Sequence, residues 1–229
     1  GDADYNIAIG YNALLGGDFD TNDRQLRGNI AIGGNAMIAT GANAQTGTIA
    51  IGEYALTALT TGDANLAVGY KAGTAITTGG NNTAIGYEAL DGIDTASANT
   101  AVGTLAMSDA GNAHDKATEN VAVGFKAMAG TFTDSDIKYN VAVGTKAMQL
   151  GALNGLQHCT VIGNGAGKDL TSGSRSTLVG SLAGENITSG ENNICIGASS
   201  GATLTNGGDH VLIGKNAGDV IAAGQTGTN

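Results

Sequence analysis

The chain has 229 residues, of which 39 are glycine and none is proline or tryptophan, and aromatic residues make up only 4%. So few large side chains cannot fill an ordinary globular core of this length, whereas glycine suits narrow turns at positive φ and the lack of proline suits unbroken backbone ladders. Ten basic residues against twenty acidic ones give a formal net charge of −10, and the basic ones are scattered, which excludes the positive groove that nucleic acid requires.

In chain order a single motif recurs from residue 6 to residue 217, Asn-x-Ala-Ile/Val-Gly-x-x-Ala, with its glycine at Gly10, Gly33, Gly52, Gly69, Gly86, Gly103, Gly124, Gly144, Gly163, Gly180, Gly197 and Gly214. The basal spacing is 17 residues, and the longer intervals carry insertions. A period of that length is too short for a helical hairpin and suits one coil of a β-solenoid. It predicts an all-β, parallel β-solenoid of about twelve coils, roughly 55–60 Å long at about 4.8 Å per coil. One repeat domain over 1–229 is expected, which leaves no room for a separate catalytic domain.

Let each motif glycine be position zero. Position −1 is Ile or Val in every copy, and +7 is often Ile or Leu (Leu59, Ile76, Ile93, Leu170, Ile187, Leu204, Ile221). These two columns are expected to meet in a thin common core, with the Ala of +3 at a crowded corner. Alternation puts −2 on the other face of the strand, yet −2 is apolar as well, being Ala through residue 142 and then Val161, Leu178, Cys195 and Leu212. A strand apolar on both faces calls for burial on both, and one roll has one inside.

Position +4 changes in step with −2. It is mostly Leu or Met while −2 is Ala and becomes Gly once −2 is large, which divides the chain into 1–150 and 151–229. Columns that exchange volume fill one space. The expected space is an intersubunit seam made by Ala84, Leu90, Ala122, Met128, Met148, Val161, Leu178, Cys195 and Leu212. Position −4 is Asn in eight copies, where an amide can bond backbone at the turn before each strand.

Insertions at 17–28, 108–119 and 130–139 supply the candidate ligand-binding residues: His114 and Lys116 in the second, Phe132, Asp134, Lys138 and Tyr139 in the third, on neighbouring coils. Tyr70 and Tyr87 share the +1 column on adjacent coils and are candidates to stack on a sugar. Asp18-x-Asp20-x-Asn22 opens like a calcium loop, but Asp23 replaces the turn glycine and Asn29 the bidentate Glu, so no metal is assigned. The histidines His114, His158 and His210 lie in unrelated columns, no catalytic motif is present, and neither catalytic residues nor a cofactor are expected.

Thr60, Thr77, Thr171, Thr188 and Thr205 in the +8 column suggest an ice-binding face, without the second threonine column that such a face needs. Cys159 and Cys195, two coils apart, are expected to be buried thiols rather than a disulfide. No apolar run approaches transmembrane length, so no membrane insertion is expected.

Segments such as Asn82-Thr83-Ala84-Ile85-Gly86-Tyr87-Glu88-Ala89-Leu90 and Asn120-Val121-Ala122-Val123-Gly124-Phe125-Lys126-Ala127-Met128 resemble the head repeats of YadA-type trimeric autotransporter adhesins and the Asn-Thr-Ala-Ile-Gly-Tyr arrays of phage tail fibres. The resemblance covers almost the whole chain, although the basal coil here is longer than in the adhesin heads. It implies a left-handed parallel β-roll, an obligate homotrimer and an extracellular place on a virion or a bacterial surface. The expected function is non-enzymatic: a fibre segment that binds a cell-surface glycan or protein receptor multivalently. The alternative is an ice-binding or carbohydrate-active β-solenoid.

Overall fold

The computed structural model describes residues 3–15, 26–40, 44–108, 117–132, 136–149, 152–221 and 227. Among them all regular structure is β. Positions −3 to −1 of the motif form three-residue strands: Ile7–Ile9, Ile30–Ile32, Ile49–Ile51, Leu66–Val68, Thr83–Ile85, Thr100–Val102, Val121–Val123, Val141–Val143, Thr160–Ile162, Thr177–Val179, Ile194–Ile196 and Val211–Ile213. Each pairs in parallel with the next to make one twelve-stranded sheet, and the fold is a parallel β-solenoid.

The register sets column on column. Ala84 lies opposite Ala67 and Ala101, and Ala142 opposite Val161, so the sheet runs unbroken through the boundary near residue 150. Small sheets of two-residue strands accompany the longer coils: Ala3–Asp4, Leu26–Arg27 and Gln45–Thr46 in one, Ala117–Thr118 with Ile137–Lys138 in another, and Thr131–Phe132 with Ala152–Leu153 in a third.

Each strand ends at the motif glycine because the backbone there takes φ between 123° and 142°. The chain then turns through residues of alternating conformation. Lys126 (φ 54°) and Met128 (φ 52°) are left-handed at +2 and +4, and the Met128 N–H donates to the Ala147 carbonyl of the next coil at 2.8 Å. The same two positions are left-handed in coil after coil, so the turn is as periodic as the strand.

The interior differs from the expectation in one respect. It is lined by −2, +3, +4 and +7: Ala84, Ala89, Leu90 and Ile93 in one coil, Leu178, Ala183 and Ile187 in another, all buried. The −1 column points outward. Ala84, Leu90, Ala122, Met128, Met148, Val161, Leu178 and Cys195 are therefore core residues of a single chain, at 0–1% exposure, and Leu212 packs against the same core. They cannot form an intersubunit seam. The physical reason is width: a coil this narrow has room for one large side chain between −2 and +4, and the bulky β-branched −1 column is left outside.

The exchange of volume between −2 and +4 is nonetheless present, inside the core. A Cβ on Gly167 would stand 2.9 Å from Leu178 Cδ1 and 3.3 Å from Val161 Cγ1, and one on Gly201 would stand 2.5 Å from Cys195 Sγ. Large side chains at −2 occupy the room that Leu or Met takes in the earlier coils. Gly73, the exception beside Ala67, follows the same rule. Its space is filled by Leu56 Cδ2, 2.8 Å from where a Cβ would be, and by Ile76 Cδ1 at 3.2 Å.

The −4 asparagines do the turn work expected of them. The Asn82, Asn99, Asn120 and Asn140 backbone N–H groups each donate 3.0 Å to the Oδ1 of the preceding asparagine. Their side-chain Nδ2 groups cross the coil to a carbonyl on the other wall, as in Asn82 to Ala96 at 2.7 Å and Asn140 to Leu156 at 2.8 Å. Buried amides so paired cost little and pin the width of the coil.

Both cysteines are buried and free. Cys159 stands in the asparagine column and its thiol donates to the Gly173 carbonyl at 3.3 Å. Burial pushes both thiols up to about 11. The folded chain thus holds these protons above pH 9, where an unfolded thiol loses them. That part of the stability is complete below pH 9, erodes as the pH rises toward 11 and is gone above it. The expected result is no alkylation at pH 8 until denaturant is added, with two thiols then reacting. Labelling of the native protein would contradict the burial.

Candidate functional site

The feature that the core leaves over is the outer face of the twelve-stranded sheet. Two columns line it. All twelve −1 residues are Ile or Val, eight of the twelve −3 residues are Ile, Leu or Val, and the other four are threonines, so no charge interrupts the face. Neighbouring rungs shield one another along the middle of the rod, where Val102, Val123 and Val143 are half-buried, while Ile9 and Ile213 are well exposed. At 4.8 Å per rung and 3.3 Å per residue the strip measures roughly 53 by 10 Å, or about 530 Å². That is at the upper end of what monomeric proteins leave uncovered.

The two borders of this strip carry the polar and aromatic residues. On the +1/+2 border Tyr70 and Tyr87 stack on each other, with ring centroids 5.4 Å apart and planes 16° apart, and Tyr54 meets Tyr70 edge-on at 6.2 Å. Lys71 Nζ lies 5.4 Å from the Tyr70 centroid and 3.9 Å from a Glu88 oxygen. The Glu88 carboxylate, by hydrogen bond first and by charge second, raises the Tyr87 hydroxyl pKa above its ordinary value.

On the −5 border a ladder climbs the second half of the rod. Tyr139 stacks on His158 at 5.0 Å and 14°. Arg175 pairs with Glu191, its Nε donates to Asn192 Oδ1 at 2.9 Å, and Asn192 Nδ2 donates to Asp209 Oδ1 at 3.1 Å. All five ladder residues, Tyr139, His158, Arg175, Asn192 and Asp209, are left-handed, with φ from 58° to 63°. In the sequence these residues form a column at −5, outside the insertions, with no shared residue type to mark it.

The expected ligand-binding residues are only partly brought together. His114, Lys116 and Asp134 lie outside the described residues, as do Asp18, Asp20 and Asn22. Phe132 is 2% exposed and belongs to the core, so it is withdrawn as a ligand contact. Its strand pairs with Ala152–Leu153, and that pairing turns the ring inward. Lys138 makes an ion pair with Asp136 at 3.0 Å beside the exposed Tyr139. Tyr70 and Tyr87 are exposed, but far along the chain from Tyr139.

Four of the +8 threonine hydroxyls donate to backbone carbonyls of the next coil, Thr60 to Thr77 at 2.8 Å and Thr171 to Thr188 at 2.9 Å among them, while Thr205 donates to Asn206 Oδ1 at 3.1 Å. Among the described residues no three His, Cys, Asp or Glu side chains converge on a point, and no helix is long and apolar enough to cross a membrane. Comparison with known proteins finds no family, no curated protein and no solved structure that matches the chain.

Proposed function

We propose that this chain is a non-enzymatic segment of an extracellular homotrimeric fibre, of the kind found in phage tail fibres or bacterial surface adhesin heads. In this reading three left-handed rolls of about twelve coils lie side by side. The observation that carries the reading is the outer face of the sheet, uncharged over its whole length while polar, aromatic and charged residues stand along its borders. A chain with a net charge of −10 has ample polar surface, and a continuous apolar strip rimmed by polar residues marks an interaction surface. Assembly through this strip restores the burial on both strand faces that the residue columns demand, with −1 and −3 in the role first given to −2.

The aromatic and charged borders then lie along the grooves between chains, three copies of each, where a surface glycan or protein receptor could be held by several weak contacts at once. The test is the solution mass by light scattering, which is expected at three times the 22.4 kDa chain. A single-chain mass would remove the assembly from the proposal, and a confirmed trimer that captures nothing on a glycan array or on cells would reduce the function to that of a spacer.

A further inference from the structure

We infer that the +1/+2 border holds an acidic sugar in a slot between Tyr87 and Phe125, with Lys126 and Lys146 as the partners of its negative group. The inference rests on the reading that this border receives a surface ligand and gives that ligand a chemical class. It needs residues of one chain only, so it does not depend on how chains assemble.

The slot follows from a gap in the aromatic column. Tyr70, Tyr87 and Phe125 stand at +1 of the fourth, fifth and seventh coils, and the sixth has Thr104 there instead. Backbone bonds keep this column in line: the Leu105 N–H donates to the Tyr87 carbonyl at 2.9 Å and the Lys126 N–H to the Thr104 carbonyl at 3.0 Å. Tyr87 turns one ring face to Tyr70, on which it stacks, and the other toward the level of Thr104. Tyr87 and Phe125 are 48% and 43% exposed, and Thr104 between them is exposed as well.

Two coil rises set the rings about 9.6 Å apart, which leaves about 4.8 Å on either side of a guest centred between them. Carbon atoms in contact stand roughly 3.5–4.0 Å apart, so a flat guest would touch one ring only. A pyranose is puckered and therefore thicker, with C–H groups on both faces and hydroxyls round its edge. It can meet Tyr87 and Phe125 with its faces, above a floor made by the Thr104 hydroxyl and the half-buried Leu105.

The ends of the slot decide the charge of the guest. At one end the Glu88 carboxylate is engaged by the Tyr87 hydroxyl and by Lys71 at 3.9 Å. At the other, Lys126 and Lys146 occupy +2 on neighbouring coils, and neither has an ion-pair partner among the described residues. Lys126 Nζ stands 5.6 Å from the Phe125 centroid, at the edge of the slot. Like charges on adjacent rungs repel, and a carboxylate, phosphate or sulfate on the bound sugar relieves that repulsion. The net charge of −10 opposes the approach of an anion from a distance, so a single slot binds weakly and repeated copies supply firm attachment.

The experiment is ligand-observed NMR on the full chain with oligoglucuronate, phosphorylated oligomannose and sulfated oligogalactose, each beside its neutral counterpart. An acidic probe is expected to bind on the order of tenfold more tightly than its neutral match, and the probe that does so identifies the anion. T104Y should fill the slot with a ring, as Tyr87 stands beside Tyr70, and weaken binding at least about tenfold while circular dichroism stays native. K126Q/K146Q should erase the preference for the acidic probe. The inference is overturned if the native chain binds no acidic probe, if acidic and neutral probes bind equally, or if T104Y binds as the native chain does. A chain of trimer mass that binds no probe would remove the slot and leave the fibre assembly standing, whereas a monomer that binds would do the reverse.

Discussion

Replacing Val102 or Val123 with aspartate is expected to give a folded chain that no longer assembles. Both side chains point outward from the middle of the sheet and are half-buried, so in a single chain the carboxylate can stay in water and the cost to folding is about 1 kcal/mol, that of a poor strand former. In the assembly the same carboxylate is pressed into an apolar contact with its symmetry copies. Desolvation of each ion costs several kcal/mol, so association should weaken by at least about a thousandfold, which corresponds to roughly 4 kcal/mol.

Leu178→Asp provides the contrast. Leu178 is 0% exposed within one chain, and its replacement should unfold the surrounding coils rather than release intact monomers. Light scattering and circular dichroism together separate the outcomes. Normal assembly of the Val102 and Val123 variants would show that the outer face is not the contact, and a folded, dissociated Leu178 variant would return the contact to the −2 column.

The sequence carried the period, the strand positions and the parallel register, because each depends on local chemistry repeated many times: glycine at a turn, asparagine before a strand, alternation along it. It did not carry the choice of inside. Ala8 to Ala142 at −2 and the Ile/Val column at −1 are both apolar, and alternation states only that they face opposite ways. The larger, invariant column looks like the core under the rule that large apolar residues are buried, and that rule presumes a globule. In a coil a few residues wide, alanine fits inside at −2 where Leu or Met comes in from +4, and a larger −2 residue fits where +4 is glycine.

The choice is nonetheless encoded in Gly167, Gly184, Gly201 and Gly218, which yield space to Val161, Leu178, Cys195 and Leu212. A volume exchange between residues six apart within one coil is most simply a matter of one core. Phe132 departs from its sequence expectation for a related reason. It sits in an insertion, and insertions are expected at the surface, whereas its two-residue strand extends the coil and buries the ring.

The strongest constraint on the fold lies at the motif glycines, where Gly124→Ala is expected to be among the most damaging of small substitutions. Its φ is +132°, outside what L-residues adopt without strain, and a Cβ there would stand 2.6 Å from the Gly144 carbonyl oxygen and 2.7 Å from its carbon. The obstacle is the backbone of the next coil, which cannot rotate away as a side chain would. Backbone strain of about 1–3 kcal/mol adds to overpacking of about 1–3 kcal/mol, so a loss of roughly 2–6 kcal/mol is expected.

Gly28→Ala separates the two causes. Gly28 is left-handed too, at φ +62°, but a Cβ there meets nothing within 4 Å, and Tyr139 and Arg175 occupy the equivalent position of other coils at φ 61° and 59°. Its cost should be about 1 kcal/mol, the conformational share alone. Denaturant midpoints of the two variants measure the difference. Equal losses would mean that the close approach of successive coils does not limit the column and that glycine stands there for its backbone freedom only. The expected inequality would mean that the spacing of coils itself excludes every other residue, which ties the identity of eleven of the twelve motif glycines, all but Gly214 of the last coil, to the ladder that stacks the strands and presents their apolar face outward.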